Sequence, residues 1–433
     1  MHYSVPRAEI GGLLGAPLST KSFRIINIKA LGVRALSTLP TSLDAPKPLM
    51  FHEQSDLTGV LSSGDITKWR NFINSATVFV HHEGHCANTL ITELKEMGVK
   101  HIVLVSKKAE CDAEDRVSGK IIIDDFNNLE SNYSAMGNYC KEHEIELARV
   151  LVGWGYSSES REVPIQTARV NEALPGCDFG TPCNSVETLQ KIADKDAFDQ
   201  TVSKSGLNVI PNYYKSFERD FDDDPKNLIK FAKKILEGKS NLNSVDIYIK
   251  HPSTGGGREI VPINFDRNQL SDHAYIAEKT LEITDAISRC HNEGKAFLAP
   301  GVKRPLVLQM GIQNAHHIEL QLIDKVIAGK RECSAQERGQ KKAEGTVELN
   351  TELEERIDRQ AQIFANESNL EGANTLELLV SNPLDPQSDF YFLETNVRLQ
   401  VEHPVTAYEK GLSIPAAILA NSIGVKLDAV YQK

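Results

Sequence analysis

The chain has 433 residues, of which 40% are hydrophobic and 25% are charged, and its formal net charge at pH 7 is −11. This length allows two or three hydrophobic cores of ordinary size, and the acidic balance argues against nucleic-acid binding as the main function. No run of 18 apolar residues occurs, so the sequence predicts no membrane span. The seven cysteines lack CxxC spacing, which suits a reducing compartment better than a disulfide framework.

The first 50 residues differ in composition from the rest of the chain. They carry six basic residues against two acidic ones and are rich in Ser, Thr and Leu. This profile is compatible with a mitochondrial transit peptide and equally with an arm that docks on the folded protein. We expect residues 1–74 to form an N-terminal extension and the protein to be cytoplasmic, with the mitochondrial matrix as the alternative.

An alternation of strand and helix patterns begins at Ala76. The predicted strands are 76–82, 101–106 and 149–152, and the predicted helices are 88–97 and 133–143. Strands that alternate with helices are typical of a parallel sheet built from βαβ units. We therefore predict a Rossmann-like domain over residues 75–185.

Four potential metal ligands lie close together after the first predicted strand: His81, His82, His85 and Cys86. Such a cluster could bind zinc. The same segment also fits a glycine-containing turn from strand to helix, and no second cluster of ligands is evident in the sequence. We favour the turn.

A glycine-rich turn joins two strand-like runs in IYIKHPSTGGGREI, residues 247–260. Glycines let backbone N–H groups approach phosphate oxygens, and Lys250 at the end of the first run could neutralise those oxygens. The turn lacks the GK[ST] ending of a Walker loop and opens no helix, so P-loop and Rossmann dinucleotide interpretations fail. The segment is either a lid over a nucleotide, within about 209–262, or a hairpin tip without a ligand.

The remaining elements predict a second, larger domain over residues 186–433. Its predicted helices are 185–205, 226–238, 275–292 and 352–367, and its predicted strands after the lid are 306–309, 318–323, 376–380 and 390–395. We expect the helix at 275–292 to return the chain from the lid to the larger part of this domain. The four strands that follow would lie together there.

Two of these strands carry acidic residues, Glu377 in TLELLV and Glu394 in FYFLET. The turn-forming segment SNPLDPQSD separates the two runs, which predicts a hairpin that could set Glu377 opposite Glu394. Like charges paired on one sheet repel unless a cation lies between them, which favours a metal site. The alternative is two exposed carboxylates on a solvated face.

The segment from Glu394 to Glu402 alternates polar and apolar residues. If it stays extended, it lines one face over roughly 26 Å with a carboxylate, an amide, a guanidinium, an amide and a carboxylate. Carboxylate and amide oxygens suit Mg²⁺, and a guanidinium matches a planar oxyanion. The alternative is a half-exposed strand whose polar face is merely solvated.

The segment FLETNVRLQVEHPVT, residues 392–406, closely resembles the metal- and bicarbonate-binding signature of biotin carboxylases in the ATP-grasp superfamily. The resemblance continues at intervals from about Ala76 to Gly424. It implies a mixed α/β and α+β architecture, in which a Rossmann-like pre-ATP-grasp subdomain is followed by a two-part ATP-grasp fold. It also implies an ATP-dependent ligase that uses Mg·ATP to activate bicarbonate as carboxyphosphate, for carboxylation of biotin or another acceptor.

Residue by residue, the resemblance implies three groups of site residues. The metal, Mg²⁺ or alternatively Mn²⁺, would be held by Glu377, Glu394 and Asn396. The nucleotide would contact Lys195, Lys250, Gly255, Gly256, Gly257, Gln309, His317 and Gln336. Bicarbonate would be held by Arg398, Gln400, Val401 and Glu402, and the catalytic residues would be Arg398, Lys341 and Glu402, the last as the base.

Several of these matches have plain structural alternatives. Lys195 in IADKDAF could be an ordinary exposed helix lysine, and the segment RECSAQERGQKKAE, in which Gln336 and Lys341 match positions close to bicarbonate, could be a polar loop. In HHIELQLI, the alternation would aim His317 and Glu319 inward. The segment GWGYSSES, residues 153–160, resembles a glycine–aromatic turn of the family, and we expect its role to be structural.

The sequence also departs from the family. The family's Glu–Lys pair at the adenine hinge aligns with Gln309 and Met310, although a glutamine still offers a carbonyl oxygen. A family histidine aligns with Gly339. The chain ends at Lys433, about where the family's third subdomain would continue, and that subdomain supplies an arginine of the biotin site and much of the dimer contact.

We therefore expect ATP and bicarbonate as ligands, and biotin only in trans, on a separate carrier or together with a carboxyltransferase. No nucleic-acid or membrane partner is expected, and a homo-oligomer is compatible with the sequence. Two other functions stay open. One is an ATP-grasp ligase that joins a carboxylic acid to an amine through an acylphosphate, and the other is a non-catalytic ATP-binding regulator.

Overall fold

A computed structural model describes residues 26–27, 62–107, 116–153, 156–252, 260–294, 304–337, 340–341, 343–410 and 413–425. The predicted phosphate-contacting residues Gly255, Gly256 and Gly257 lie outside these ranges, as does most of the N-terminal extension. Of the predicted catalytic residue Lys341, only the backbone is described.

The strands, in chain order, are β1 (Ile26–Asn27), β2 (Thr77–His81), β3 (His101–Ser106), β4 (Gly119–Ile122), β5 (Leu147–Val152), β6 (Asp178–Gly180), β7 (Ser244–Lys250), β8 (Val261–Asp266), β9 (Val307–Met310), β10 (His316–Ile323), β11 (Val326–Glu332), β12 (Gln336–Glu337), β13 (Gln340–Lys341), β14 (Ala343–Thr346), β15 (Ala373–Val380) and β16 (Phe390–Asn396).

The α-helices are α1 (Ser63–Ser75), α2 (Gly84–Glu96), α3 (Leu129–Glu142), α4 (Glu162–Ala173), α5 (Val186–Ile192), α6 (Lys195–Lys204), α7 (Tyr213–Phe217), α8 (Pro225–Gly238), α9 (His273–Gly294), α10 (Thr351–Glu367), α11 (His403–Lys410) and α12 (Ile414–Ser422). Short 3-10 helices lie at Tyr156–Glu159 and Arg267–Gln269. No helix among the described residues is long and apolar enough to cross a bilayer.

The first domain is built on a parallel sheet of order β4-β3-β2-β5-β6. Its central strand β2 is buried along its whole length. Val78 and Val80 enter the core beneath α1 and α2, whereas Phe79 enters the core beneath α3 and α4. A strand covered on both faces has to be apolar throughout, which explains the apolar run in the sequence. The predicted βαβ unit is confirmed.

The lid is a three-stranded antiparallel sheet of order β8-β7-β9. Helices α8 and α9 cover it, with Phe231 from α8 and Ile283 and Cys290 from α9 in one core. The expectation that α9 and β9 belong to the larger part of the second domain is therefore wrong. The apolar face of α9 is buried against the lid, and β9 pairs with β7 through Tyr248 and Gln309.

The larger sheet of the second domain has the order β1-β14-β11-β10-β15-β16. Helices α5, α6 and α10 cover one face, where the ring centroids of Phe198 and Phe364 lie 5.4 Å apart. The predicted hairpin of β15 and β16 is confirmed, and its register places Glu377 opposite Glu394. Strand β11 was not predicted, because its sequence VIAGKRE ends in charged residues although Arg331 is buried.

Two expectations about the second domain need correction. The helix expected over 185–205 is two helices, because Asp194 caps α6 in an extended conformation and its carboxylate pairs with Arg304 at 3.0 Å. The extended face expected from Glu394 to Glu402 continues only to Asn396, where β16 ends. Beyond that point, tertiary contacts of Arg398 and Gln400 replace sheet pairing.

Candidate active site

Two lysines lie close to the end of the acidic strand β16. Lys195 is the first residue of α6, and its Nζ atom lies 3.2 Å from Oε2 of Glu394. Lys250 is the last residue of β7, is buried, and donates from Nζ to Oε1 of Gln309 over 2.7 Å. The fold thus brings together four side chains that the resemblance assigned to the nucleotide and the metal.

The charges of these side chains depend on one another. Burial opposes the positive charge of Lys195, but the carboxylates of Glu394 and Glu159 outweigh burial and raise its pKa. Burial also opposes the charge of Glu394, but Lys195 and Lys250 outweigh it and lower the pKa of that carboxyl. At Lys250 burial dominates and lowers the pKa to about 8, despite the attraction of Glu394. A cation that is only partly stabilised by its surroundings is suited to an incoming anion.

The side-chain amide of Gln309 connects Lys250 to a buried carboxylate. Gln309 accepts from Lys250 at Oε1 and donates from Nε2 to Oδ2 of Asp199 over 3.1 Å. Asn212 donates to the same oxygen over 2.8 Å. Burial raises the pKa of Asp199 to about 7, although these two amides and Lys250 favour the ionised form. Sequence reasoning missed Asp199, because a polar residue one turn into a helix carries no signal of its own.

Three glutamates lie side by side across β10, β15 and β16. Glu319 is the register partner of Glu377, which is in turn the register partner of Glu394. Glu319 is fully buried with Arg331, whose Nη2 atom lies 2.8 Å from Oε2. The alternation of HHIELQLI therefore aims both His317 and Glu319 inward, as expected, and both are buried.

Glu377 accepts hydrogen bonds at both carboxylate oxygens. Nε2 of His317 lies 2.8 Å from Oε2, and Nδ2 of Asn396 lies 2.7 Å from Oε1. Gln336 contacts the other imidazole nitrogen, Nδ1; if its amide donates there, the ring is neutral and carries its proton on Nε2. This arrangement fixes the Glu377 carboxylate through both of its oxygens.

The donor atoms in this region fit a hard divalent cation. The carboxylate oxygens of Glu377 and Glu394 and the carbonyl oxygen of Asn396 are the ligand types that Mg²⁺ takes, with the remaining positions usually filled by water and substrate phosphates. Ligand atoms of His317, Glu319 and Glu377 also lie within 4.8 Å of one another. A cation beside Glu377 would offset the repulsion between facing carboxylates.

The histidines at the end of β2 and directly after it belong to a different part of the molecule, the first domain. Among the described residues, two groups of candidate ligands lie close enough to share an ion, and both contain Glu319 rather than these histidines. His81 is fully buried, Asn132 lies 3.0 Å from its Nε2 atom, and burial lowers its pKa to about 4. Gly84 has φ +62°, which a turn into α2 requires of a glycine. These observations support the turn.

Arg398 is held by a residue of the first domain. Its Nε atom donates to Oε1 of Glu159 over 2.6 Å, and its Nη1 atom lies 3.4 Å from the carbonyl oxygen of Leu399. Glu159 ends the 3-10 helix of the segment GWGYSSES, for which only a structural role was expected. The contact joins the predicted anion site to the first domain, and the sequence held no signal for it beyond the family-like turn.

Gln400 is oriented by a buried arginine. Arg331 donates from Nη2 to Oε1 of Gln400 over 2.9 Å, and from Nη1 to Oγ1 of Thr406 over 2.8 Å. Because the carbonyl oxygen of the Gln400 amide faces Arg331, its NH₂ group is the end left for an anion. Sequence reasoning missed Arg331, although it opens the block that contains Gln336 and Lys341.

The segment that follows turns into α11. Val401 is 37% exposed, Gln400 is buried, and Glu402 is half-buried in the turn. His403 is fully buried, with Nδ1 2.9 Å from the carbonyl oxygen of Gln400 and Nε2 2.7 Å from Oε1 of Glu93 on α2. Glu93 therefore fixes the chain immediately after the predicted base, Glu402. Sequence patterns do not distinguish Glu93 from an ordinary helix glutamate.

Two predicted residues are placed by backbone pairing. Gln336 on β12 is the register partner of Lys341 on β13. Both were expected close to bicarbonate, and the small hairpin they form follows directly on β11, which carries Arg331. The hairpin thus brings the Lys341 backbone to the same end of the larger sheet as His317.

Comparisons with known proteins find that the chain is similar to carboxylases. Residues 274–430 match the family model of the carbamoyl-phosphate synthase L chain, ATP binding domain. Pyruvate carboxylase from Bacillus subtilis (strain 168) is 28% identical over 352 residues, which are 78% of this chain and 26% of that protein. The chain spans about half or less of the length of such curated relatives, between 17% and 49%.

Solved structures agree on the fold. The biotin carboxylase from Campylobacter jejuni in complex with β,γ-ATP has a TM-score of 0.63 and 24% identity, over 82% of this chain and 73% of that chain. The biotin carboxylase domain dimer of 2-oxoglutarate carboxylase from Hydrogenobacter thermophilus, with MgADP, ADP and bicarbonate, has a TM-score of 0.60 and 23% identity, over 81% and 70%. This chain is homologous to biotin-carboxylase-containing carboxylases and has their ATP-grasp fold.

Proposed function

We propose that this biotin-carboxylase-like ATP-grasp protein is an ATP-dependent ligase that binds Mg·ATP and bicarbonate and forms carboxyphosphate. The observation that carries the proposal is the centre in which Glu377 and Glu394 face each other beside Lys195 and Lys250. Facing carboxylates, one buried and one half-buried, with two adjacent lysines are a poor arrangement for stability alone. They suit a cation and a polyphosphate bound together.

The nucleotide would be held by residues of both parts of the ATP-grasp fold. Lys250 of the lid and Lys195 of α6 would neutralise phosphate oxygens, and Gln309 on β9 would lie close to the adenine ring. Glu377, Glu394 and Asn396 would hold Mg²⁺, which would neutralise charge on the phosphates. Structures of relatives that contain ADP or MgADP support this assignment.

Bicarbonate would be held by the segment after β16. Arg398 offers a planar donor group whose Nε edge is fixed by Glu159, and Gln400 offers its NH₂ group because Arg331 takes its oxygen. A guanidinium and an amide NH₂ are both donors, which is what an oxyanion requires. Bicarbonate in the structure of the Hydrogenobacter thermophilus relative supports this choice of anion.

The chemistry would then be a proton transfer followed by attack on phosphorus. Glu402 would accept the proton of bicarbonate, the freed oxygen would form a bond to the γ-phosphorus of ATP, and the bond from that phosphorus to the bridging oxygen of ADP would break. Lys195 and Lys250 would offset the charge that develops on the phosphates. The products are carboxyphosphate and ADP, and carboxyphosphate would carboxylate biotin on a separate carrier or another acceptor.

Phosphate release tests the proposal directly. The purified protein is mixed with Mg·ATP in buffer freed of dissolved carbon dioxide, and phosphate is measured while bicarbonate is raised through the millimolar range. We expect phosphate release to increase with bicarbonate and to saturate. Free biotin is tested as acceptor in a parallel series. Release that ignores bicarbonate, but increases with a carboxylic acid plus an amine, would replace this function with an amide-forming ligase.

A further inference from the structure

The Gln309 side chain lies between one positive and one negative group, both buried. Lys250 donates to its carbonyl oxygen over 2.7 Å, and Asp199 accepts from its NH₂ group over 3.1 Å. A lysine has only donors, and an aspartate that is ionised, as Asp199 is above about pH 7, has only acceptors. The two partners therefore allow one orientation of the amide. The negative end of the amide dipole, its oxygen, then faces the ammonium and the positive end, its NH₂ group, faces the carboxylate, so that the amide couples the two charges.

Asp199 lies on the same helix, α6, as the second lysine of the site, Lys195. Asp199 follows Lys195 by four residues, about one helical turn, so both side chains lie on the same side of the helix. The helix therefore presents a cation at its first residue and a carboxylate one turn later. Asn212 strengthens the link, because it donates to Asp199 over 2.8 Å and its backbone bridges to Gln309.

Burial of Asp199 is unfavourable for the stability of the fold. Only 7% of the residue is exposed, and its Oδ1 atom is buried without a hydrogen-bond partner in the described structure. A buried carboxylate with an unsatisfied oxygen destabilises the folded state. Residues that violate such a rule without a gain in packing are commonly found at functional sites.

We propose that Asp199 is a positioning residue for Lys250: acting through the Gln309 amide, its negative charge keeps the Lys250 ammonium charged and held at the carbonyl oxygen of Gln309. The other charged groups that act on Lys250 are Glu394 on β16, Glu377 on β15 and Lys195 on α6. The carboxylates among them are also proposed to serve the metal, whereas Asp199 is not among the proposed metal ligands. The consequence for nucleotide binding rests on the proposed function.

Exchanging the carboxylate and the amide between positions 199 and 309 tests this coupling. Asp199→Asn keeps the shape and an acceptor but removes the charge, and Gln309→Glu sets a second carboxylate against Asp199. We expect each single change to weaken Mg·ATP binding by about tenfold, the size of coupling found between contacting charged groups. In the double variant, the acid stands next to Lys250 and an asparagine amide faces it, so binding should return to within about threefold of the original. Losses that simply multiply would overturn the proposal.

A second measurement needs no nucleotide. Brief acetylation of the native protein at a fixed pH of about 8, where Asp199 is ionised, followed by peptide mass spectrometry, gives the labelling rate of Lys250 relative to Lys195 in the same sample. Because neutral amines react, Asp199→Asn should increase the relative rate at Lys250 several-fold. The control Asp196→Asn removes a carboxylate of the same helix that pairs with Arg304 at 3.0 Å instead, and it should leave the ratio unchanged.

The two measurements separate the two ideas. An unchanged labelling ratio in Asp199→Asn would overturn the positioning role, whatever the protein binds. A raised ratio that is reversed in the double variant would support the positioning role even if the original protein failed to bind Mg·ATP. That failure would instead contradict the proposed function.

Discussion

Glu377 and Glu394 are register partners on β15 and β16, yet their carboxylates have different neighbours. Glu377 accepts hydrogen bonds from His317 and Asn396, whereas Glu394 forms an ion pair with Lys195 at 3.2 Å. One carboxylate is thus held by polar side chains and the other by a cation. The pair can therefore be tested one residue at a time.

Replacing either carboxylate with its amide should impair turnover. We expect Glu377→Gln and Glu394→Gln each to lower the Mg·ATP-dependent rate of phosphate release by about 100-fold, the usual scale of a lost electrostatic contribution in an active site. Raising the Mg²⁺ concentration should restore part of the activity, because a ligand is weakened and not the fold. Glu355→Gln on the exposed side of α10 is the matched control. Full activity in both site variants would remove these residues from the metal site.

Arg398 and Glu402 should have separable kinetic effects. Arg398→Ala removes the anion-holding group, so it should chiefly raise the bicarbonate concentration that gives half-maximal phosphate release. Glu402→Gln removes the base, so it should chiefly lower the maximal rate, by about 100-fold or more. Binding of Mg·ATP, measured by calorimetry, should persist in both variants. If both variants changed only ATP affinity, the assignment of this segment to bicarbonate would be wrong.

Glu159 should act on bicarbonate through Arg398. Glu159→Gln leaves the guanidinium present but weakens the 2.6 Å contact at Nε, so we expect a rise of a few-fold to about tenfold in the half-saturating bicarbonate concentration. The rise should be smaller than that of Arg398→Ala, and the double variant should be no worse than Arg398→Ala alone. Glu162→Gln, which changes an exposed neighbour, is the control. Strictly multiplicative effects would show that Glu159 and Arg398 act independently.

Sequence patterns predicted the elements that are buried on both faces. Strands β2 and β3 were found within a residue or so of their ends, because central parallel strands must be apolar. The β15–β16 hairpin was also predicted, since its turn residues are distinctive. The facing of Glu377 and Glu394 followed from that hairpin and is confirmed by the register.

The failures have a common physical cause. Alternation predicts a strand only while sheet pairing continues, and beyond Asn396 the polar residues are satisfied by distant side chains, Glu159 and Arg331. A local pattern holds no information about partners that are more than 60 residues away in the chain. The same limit hid Asp199, whose partner Gln309 lies 110 residues further along. The family resemblance predicted the site residues, but not the side chains that position them.

Nucleotide affinity should fall as pH rises past the pKa of Lys250. Burial lowers that pKa to about 8 in the protein without nucleotide, so the ammonium is mostly charged below pH 8 and mostly neutral above it. Phosphates bind the charged form, so the dissociation constant of Mg·ATP should increase by up to about tenfold per pH unit above 8. Lys250→Met should weaken binding and remove this dependence. A dissociation constant that stays constant between pH 7 and 9.5 in the original protein would exclude Lys250 from the phosphates.

His81 should make the folded protein sensitive to acid. Burial lowers its pKa from 6.5 to about 4 in the folded state, so between these values the unfolded chain binds a proton that the folded chain does not. Stability is therefore lost as pH falls from 6.5 toward 4, by up to about 3 kcal/mol in the free energy of unfolding. His81→Asn removes the titrating ring, so the stability difference between the original protein and this variant should change with pH over that range. His143→Gln, at an exposed histidine, controls for the loss of an imidazole elsewhere. Urea unfolding at several pH values measures the difference, and a difference that does not vary with pH would show that His81 is not buried in its neutral form.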